Sequence, residues 1–344
     1  MRAAAFGRAT DPSQDLGAIA VRQAEVEQDE VEGSADECAP RIGNRRDDVD
    51  HAAVLAQVNA QAGGDAFVVF DDQHAHSRLS RRALRCAVRF AGLGTLRILL
   101  VSDLHYTLPQ LDWVVRSAPS FDLVVMAGDH LDISSAVALD AQSVVILRYL
   151  ALIRNATRVA ASSGNHDLTG PDAQGEQAAL WLGETRTAGV ATDGDSLWIG
   201  DTLITVCPWW DGPLGRAALA SKLAHDAALR PARWIWVYHW PPLGTPVCWT
   251  GRRDYGDADL GGWIAEHQPD MVLTGHVHES PFKPAGSWAH RIDRTWVFNP
   301  GRQIGPVPTF VDIDLAAGTA SWRSLMGSEA LSLDAVKAPE RTVF

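Results

Sequence analysis

From residue 96 onward, short apolar runs alternate with longer stretches whose apolar positions recur at helical spacing. Residues 96–102 are apolar almost without interruption and stop at Asp103, the pattern of a strand buried on both faces. Residues 108–118 place Leu108, Leu111, Val114 and Val115 on one helical stripe. A second buried strand, 121–127, ends at Gly128-Asp129, and a long helix is predicted over 134–155. A third strand, 158–162, leads into Gly164-Asn165-His166-Asp167. Strand and helix in alternation predict parallel strands with helices on their faces, an α/β fold. Beyond residue 187 the rhythm changes. Segments 196–200 and 202–207 read as a hairpin turning at Gly200-Asp201, followed by a helix over 216–229 and a strand over 234–239. A helix over 258–267 and a buried strand over 271–274 come next. The segments 295–298, 309–313 and 319–323 alternate in the manner of antiparallel strands.

Composition divides the chain near residue 95. All 13 tryptophans and all 4 tyrosines lie beyond it, whereas residues 1–94 hold 11 Arg, no Lys and 15 acids among scattered apolar side chains. So little large apolar surface cannot offset chain entropy, and residues 1–94 are expected to be a poorly ordered extension. The composition favours an unstructured segment, or translated sequence ahead of the true start, over a docking arm. Residues 95–344 then form one α/β domain large enough for a full core.

The net charge of −12 argues against nucleic acid or anionic lipid as partners, because both draw on clustered Lys and Arg. Cys38, Cys86, Cys207 and Cys248 form no CxxC pair, so neither a disulfide framework nor a thiolate zinc site is indicated, and a cytoplasmic location is expected. No apolar run reaches the length of a membrane span.

The ends of the predicted strands carry the candidate chemistry. Asp103 and His105 follow the first, Asp129 and Asp132 the second, Asn165 and His166 the third, His239 the fourth, and His276 and His278 the fifth. In open α/β sheets ligands bind at this carboxyl edge. In an extended Asp-x-His or His-x-His the two side chains leave the same face, so each pair is able to grip a cation from one side. Asp103, His105, Asp129, Asn165, His239, His276 and His278 make seven donors, too many for one tetrahedral ion and suited to two ions sharing a carboxylate. Nitrogen and oxygen donors without thiolate favour Mn, Fe, Zn, Co or Ni.

The segments Asp103-Leu104-His105, Gly128-Asp129-His130-Leu131-Asp132, Gly164-Asn165-His166-Asp167, His239 and Gly275-His276-Val277-His278 resemble, in order, the motifs of the calcineurin-like metallophosphoesterases. The resemblance runs from about residue 96 to residue 301. It implies two mixed β-sheets packed as a sandwich flanked by helices. It also implies one metal on Asp103, His105 and His278, a second on Asn165, His239 and His276, and Asp129 bridging them. His166 would protonate the leaving oxygen or hold the phosphoryl group, with Asp132 orienting its ring. Asp167 stands where the protein phosphatases more often have Glu, and a structural carboxylate is the expected role.

The implied activity is hydrolysis of a P–O bond by a metal-bound hydroxide. A small phosphodiester, such as a cyclic nucleotide, is the preferred substrate. Phosphomonoesterase and nucleotide pyrophosphohydrolase activities remain open. A non-catalytic scaffold is disfavoured because all seven ligands and His166 are present. Three further features have a plain alternative. His130 either faces substrate or sits exposed in a turn, Arg302 either contacts phosphate or belongs to an ordinary turn, and Trp209, Trp210, Trp240 and Trp249 either stack on a base or fill core and pocket wall.

Overall fold

In the computed structural model, which describes residues 96–336 and 338, fifteen strands and four α-helices are arranged in layers. The strands in chain order are β1 (Arg97–Val101), β2 (Leu123–Ala127), β3 (Arg158–Ser162), β4 (Gly170–Pro171), β5 (Gln177–Ala178), β6 (Ala191–Thr192), β7 (Ser196–Ile199) and β8 (Thr202–Val206). They continue with β9 (Arg233–Val237), β10 (Met271–Leu273), β11 (Ala289–Ile292), β12 (Thr295–Phe298), β13 (Phe310–Asp314), β14 (Thr319–Ser324) and β15 (Gly327–Ser332). The helices are α1 (Leu108–Ser117), α2 (Leu139–Ala156), α3 (Pro213–Ala228) and α4 (Leu260–His267). One sheet runs β15-β14-β13-β1-β2-β3-β6 and the other β11-β12-β10-β9-β8-β7, while β4 and β5 form a separate small hairpin.

The alternation of side chains along each strand builds the layers. Ile98 and Leu100 of β1 pack with Leu123 and Val125 of β2 and with Ile235, Val237 and Leu273 of the opposite sheet, so one face of each sheet meets the other. Leu99, Val101, Val124 and Met126 point the other way, onto Leu111 and Val114 of α1 and Ile146, Leu150 and Ile153 of α2. Trp234, Trp236 and Val272 do the same toward Leu219 and Leu223 of α3 and Trp263 of α4. Strands buried on both faces read as unbroken apolar runs, which is why β1, β2 and β10 are plain in the sequence. The result is the expected α/β sandwich of two mixed sheets flanked by helices.

Parallel pairing sets the functional edge. β1, β2 and β3 lie side by side and parallel, as do β8, β9 and β10, so the carboxyl ends of β1, β2, β3, β9 and β10 line one rim of the sandwich.

The structure corrects several sequence expectations. Thr295–Phe298 pairs parallel with β10 and antiparallel with β11, and all four of its residues are buried. Its threonine is hidden because the hydroxyl donates to the Pro269 carbonyl, so the alternation in the sequence does not mark a solvent face. Helix α2 begins at Leu139 rather than 134, because Gln142 reaches back to the Asp132 and Val137 carbonyls and fixes the preceding residues as turns. The hairpin of β7 and β8 turns at Gly200-Asp201 as expected. β15, β11 and the 3₁₀ helix Leu180–Ala188 carry no clear periodicity and were not anticipated. The expectation for residues 1–94 lies outside the described residues.

Candidate metal centre

Six of the seven candidate ligands meet at the rim. Donor atoms of Asp103, His105, Asp129 and His278 lie within 4.8 Å of one another, and so do those of Asp129, His239 and His276. Asp129 belongs to both groups. Its Oδ2 is 3.4 Å from His239 Nε2 and 3.7 Å from His105 Nε2.

The backbone that presents these side chains is not extended. Asp103, His105, Asp129 and His276 have φ of 55°, 42°, 53° and 68°. Asp103 and His105 therefore converge through a left-handed loop, not through the pleat of a strand. That loop is locked by amide bonds from Asp103 to the Gly128 carbonyl and from His105 to the Asp129 carbonyl, 3.1 and 3.0 Å long. Each such conformation in a non-glycine residue stores on the order of 1–3 kcal/mol. The His-x-His pair likewise splits between the two groups. His276 Nδ1 lies 3.3 Å from His239 Nε2, whereas His278 Nε2 lies 3.1 Å from His105 Nε2 and 3.3 Å from Asp103 Oδ1.

Two glycines make room for this crowding. A Cβ on Gly164 would overlap the Asp129 carboxylate, and one on Gly128, whose φ is 83°, would overlap the His239 ring.

These residues fit divalent cations on three observations. Asn165 Oδ1 is buried without a hydrogen-bond partner, a state that buried amide oxygens rarely tolerate. Imidazole nitrogens face each other at 3.1 and 3.3 Å, and two nitrogens each about 2.1 Å from one ion would sit at about that separation. His239 Nδ1 is 2.6 Å from the Ala127 carbonyl, so Nδ1 keeps a proton and Nε2 is the atom turned to the centre.

The charges support one another. Burial alone would raise Asp103, yet the His278 hydrogen bond and the His239 and His278 charges bring it to about 2. Asp129 is likewise held well below the ordinary range, burial being outweighed by His239. Burial works against a charge on His239, but Asp129 and Asp103 lift it to about 9. Burial drops His105 to about 4 and His276 to about 3, leaving both as neutral donors at neutral pH.

The remaining candidates fall into place around this centre. His166 is partly open, its side chain 23% exposed, with Nε2 4.0 Å from Asp129 Oδ2 and its backbone amide bonded to Asp129 Oδ1 at 2.9 Å. A carboxylate oxygen of Asp132 lies within 4.8 Å of ring nitrogens of His105 and His166, yet its Oδ1 is taken by the Ser134 amide and hydroxyl, and no hydrogen bond joins it to His166. Asp167 accepts from the amides of His130, Leu131 and Gly164, a structural clamp as expected. His130 is neither exposed nor facing the centre. It is buried, with Nε2 2.9 Å from the Ser162 carbonyl.

Trp209 and Trp240 stack 4.8 Å apart, and Trp209 packs against His239 and His276. Trp210 reaches Trp240, while Trp249 makes no ring contact with this group among the described residues. Tyr255, which sequence reasoning missed, lies 4.8 Å from His276. Nothing in its flanking Arg252-Arg253-Asp254 marks it as part of a site.

Fold and centre together define a class of metal-dependent phosphoester hydrolases. A family model for the calcineurin-like phosphoesterases matches residues 96–280, more than half of the chain, and the chain belongs to that family. Its members act on phosphate esters and use divalent metals. Solved structures similar to it include the TT1561 protein of Thermus thermophilus, 17% identical over 70% of this chain and 100% of that one, with a TM-score of 0.47. Purple acid phosphatase PPD1 from yellow lupin is 12% identical, over 73% of this chain and 57% of that one, with a TM-score of 0.44. A dimetal phosphatase from Danio rerio is 10% identical, over 70% and 99%, with a TM-score of 0.42. A search of curated proteins finds no match. No helix among the described residues is long and apolar enough to cross a membrane.

Proposed function

We propose that residues 95–344 form a dinuclear phosphodiesterase domain that hydrolyses a P–O bond in a small phosphodiester, a cyclic nucleotide being one candidate. The observation that carries the dinuclear reading is the membership of Asp129 in both donor groups. Asp103, His105 and His278 would hold one cation and Asn165, His239 and His276 the other, with Asp129 between them. Bound there, two cations supply charge to the phosphate oxygens and an activated water at neutral pH. Mn, Fe, Zn, Co and Ni all suit this donor set.

The chain's own residues do the rest. The Ala127 carbonyl fixes the His239 tautomer, and the His276 amide donates to both Asp103 oxygens at 3.0 Å, which keeps that carboxylate turned inward. His166, partly open to solvent and belonging to neither ligand set, would give a proton to the leaving oxygen. Asp132 adds negative potential near His105 and His166 without holding either ring. The preference for a diester rests on the likeness of Gly164-Asn165-His166-Asp167 to the cyclic-nucleotide branch of the family. Buried free thiols at Cys207 and Cys248 agree with a reducing, cytoplasmic setting.

Metal-reconstituted protein assayed with bis(4-nitrophenyl) phosphate and 4-nitrophenyl phosphate tests the reading. The diester should be turned over with the higher kcat/KM. A monoester preference across several metals would replace it with a phosphomonoesterase.

A further inference from the structure

Beside His278 opens a cavity of about 210 Å³, lined also by Glu279, Phe282, Lys283, Arg302 and Ile304. Of the seven candidate ligands only His278 borders it. A group in this cavity would therefore lie beside the candidate metal centre and not within it. We propose that it binds a second anionic group of the substrate, a carboxylate or a phosphate, carried on a short linker from the reacting phosphorus. The proposal rests on the reading of the metal centre as the phosphoester site.

Arg302 is the best-positioned cation. Its backbone amide donates to the His278 carbonyl and its Nε to the Asp103 carbonyl, both at 3.1 Å, so main chain and side chain are each tied to a ligand-bearing loop. Its two Nη groups have no hydrogen-bond partner among the described residues, although a guanidinium fork is built for a planar or tetrahedral anion. Lys283 is one of only three lysines in the chain. Its aliphatic stem packs along Gly251, and the residue lines the cavity.

Among the described residues, five other basic side chains are paired with acids. Arg97 pairs with Asp312, Arg186 with Asp195, Arg216 with Asp259, Lys222 with Asp226 and Arg294 with Asp270. Neither Arg302 nor Lys283 has such a partner within 4.0 Å among the described residues, and Glu279, the one acid in the wall, pairs with neither. Two uncommitted cations against one acid leave the cavity positive in a chain of net charge −12. Phe282 and the exposed Ile304 add apolar wall for the carbons of a linker. The volume is below that of drug-sized sites, so it suits one small anionic group and not a second nucleoside.

Calorimetry on the metal-loaded full chain tests this with three ligands: propylphosphonate, 2-carboxyethylphosphonate and propane-1,3-diphosphonate. The first has a neutral tail, and the other two end in a carboxylate after two methylenes or a phosphonate after three. At least one charged-tail ligand should bind about tenfold tighter than propylphosphonate, the scale of one hydrogen bond to a charged group. Which of the two gains identifies the anion. The ratio, taken within each protein to cancel differences in metal loading, should fall to within about threefold in Lys283→Ala and reverse in Lys283→Glu. A ratio near one in the unaltered chain, no measurable binding of either charged ligand, or an undiminished ratio in both variants overturns the proposal. Failure of the diester reading shows separately, as absent turnover of bis(4-nitrophenyl) phosphate with the binding ratio intact.

Discussion

The carbonyl of Ala127, the last residue of β2, accepts the Nδ1 proton of His239 across 2.6 Å, and that bond spans the two sheets of the sandwich. The ligand that follows β9 is thus aimed by the strand opposite it. Correct docking of the sheets and correct tautomer of the histidine are one condition.

Metal occupancy should depend on Gly164 as strongly as on a ligand. A methyl group there overlaps the Asp129 carboxylate, so Gly164→Ala should bind metal at least 10- to 100-fold more weakly, about the range seen when ligand support is lost. Asp129→Ala should lose most of both ions. Elemental analysis after reconstitution checks both, and two ions per chain in Asp129→Ala would remove its bridging role.

Metal uptake should release protons. His239 in the metal-free protein holds its proton to about pH 9, and a cation has to displace it. Affinity should therefore rise with pH between about 7 and 9, by no more than tenfold per unit for this one group. The same shift has the opposite effect on the metal-free fold. A pKa raised above 6.5 stabilises fully below that pH, and the contribution fades as pH climbs through about 9. Titrations at pH 7.5 in two buffers of different ionisation enthalpy count the protons, and a count of zero would contradict the assignment of His239.

His166 and Asp132 should separate. His166→Ala should keep its metals and lose about 10²–10⁴-fold in kcat for an alkoxide leaving group, and less for 4-nitrophenolate. Asp132→Asn should cost under about tenfold, because the carboxylate anchors Ser134 and not the His166 ring. Equal losses for good and poor leaving groups would assign His166 to phosphate positioning instead.

Asp167→Asn should act on stability and only indirectly on catalysis. An amide is unable to accept at both ends, so it faces at least one of the His130, Leu131 and Gly164 amides with a donor. The expected cost is about 2–3 kcal/mol, read as a fall in Tm of roughly 2–4 °C per kcal/mol for a domain of this size. An unchanged melting curve would count against the clamp.

Deletion of residues 1–94 should leave a domain that melts cooperatively and binds metal, since no candidate ligand and no tryptophan lies there. Loss of the transition on truncation would make the extension part of the fold.

The centre was legible in the sequence because each ligand stands directly after a buried strand, and buried parallel strands announce themselves as apolar runs. What escaped was whatever the loops decide. The spacing of Asp103 and His105 suggested a pleated pair, but the chain turns left-handed there under the pull of the Gly128 and Asp129 carbonyls. Asp132 lies near His166 as its motif suggested, yet Ser134, two residues on, claims its oxygen. His130 looked like a turn residue until the fold put the Ser162 carbonyl within reach of its ring. Tyr255 belongs to the site only because a long loop returns to His276, a contact that no local pattern encodes.

The left-handed residues at the rim bear on any attempt to move this centre to another protein. Copying seven side chains onto the ends of five regular strands would reproduce the composition and misdirect the donors, since Asp103, His105, Asp129 and His276 reach inward only from kinked main chain. A successful transplant would have to carry the kinks first, with Gly128 and Gly164 beside them. In this protein the loops are the template, and the side chains are the part that could be exchanged.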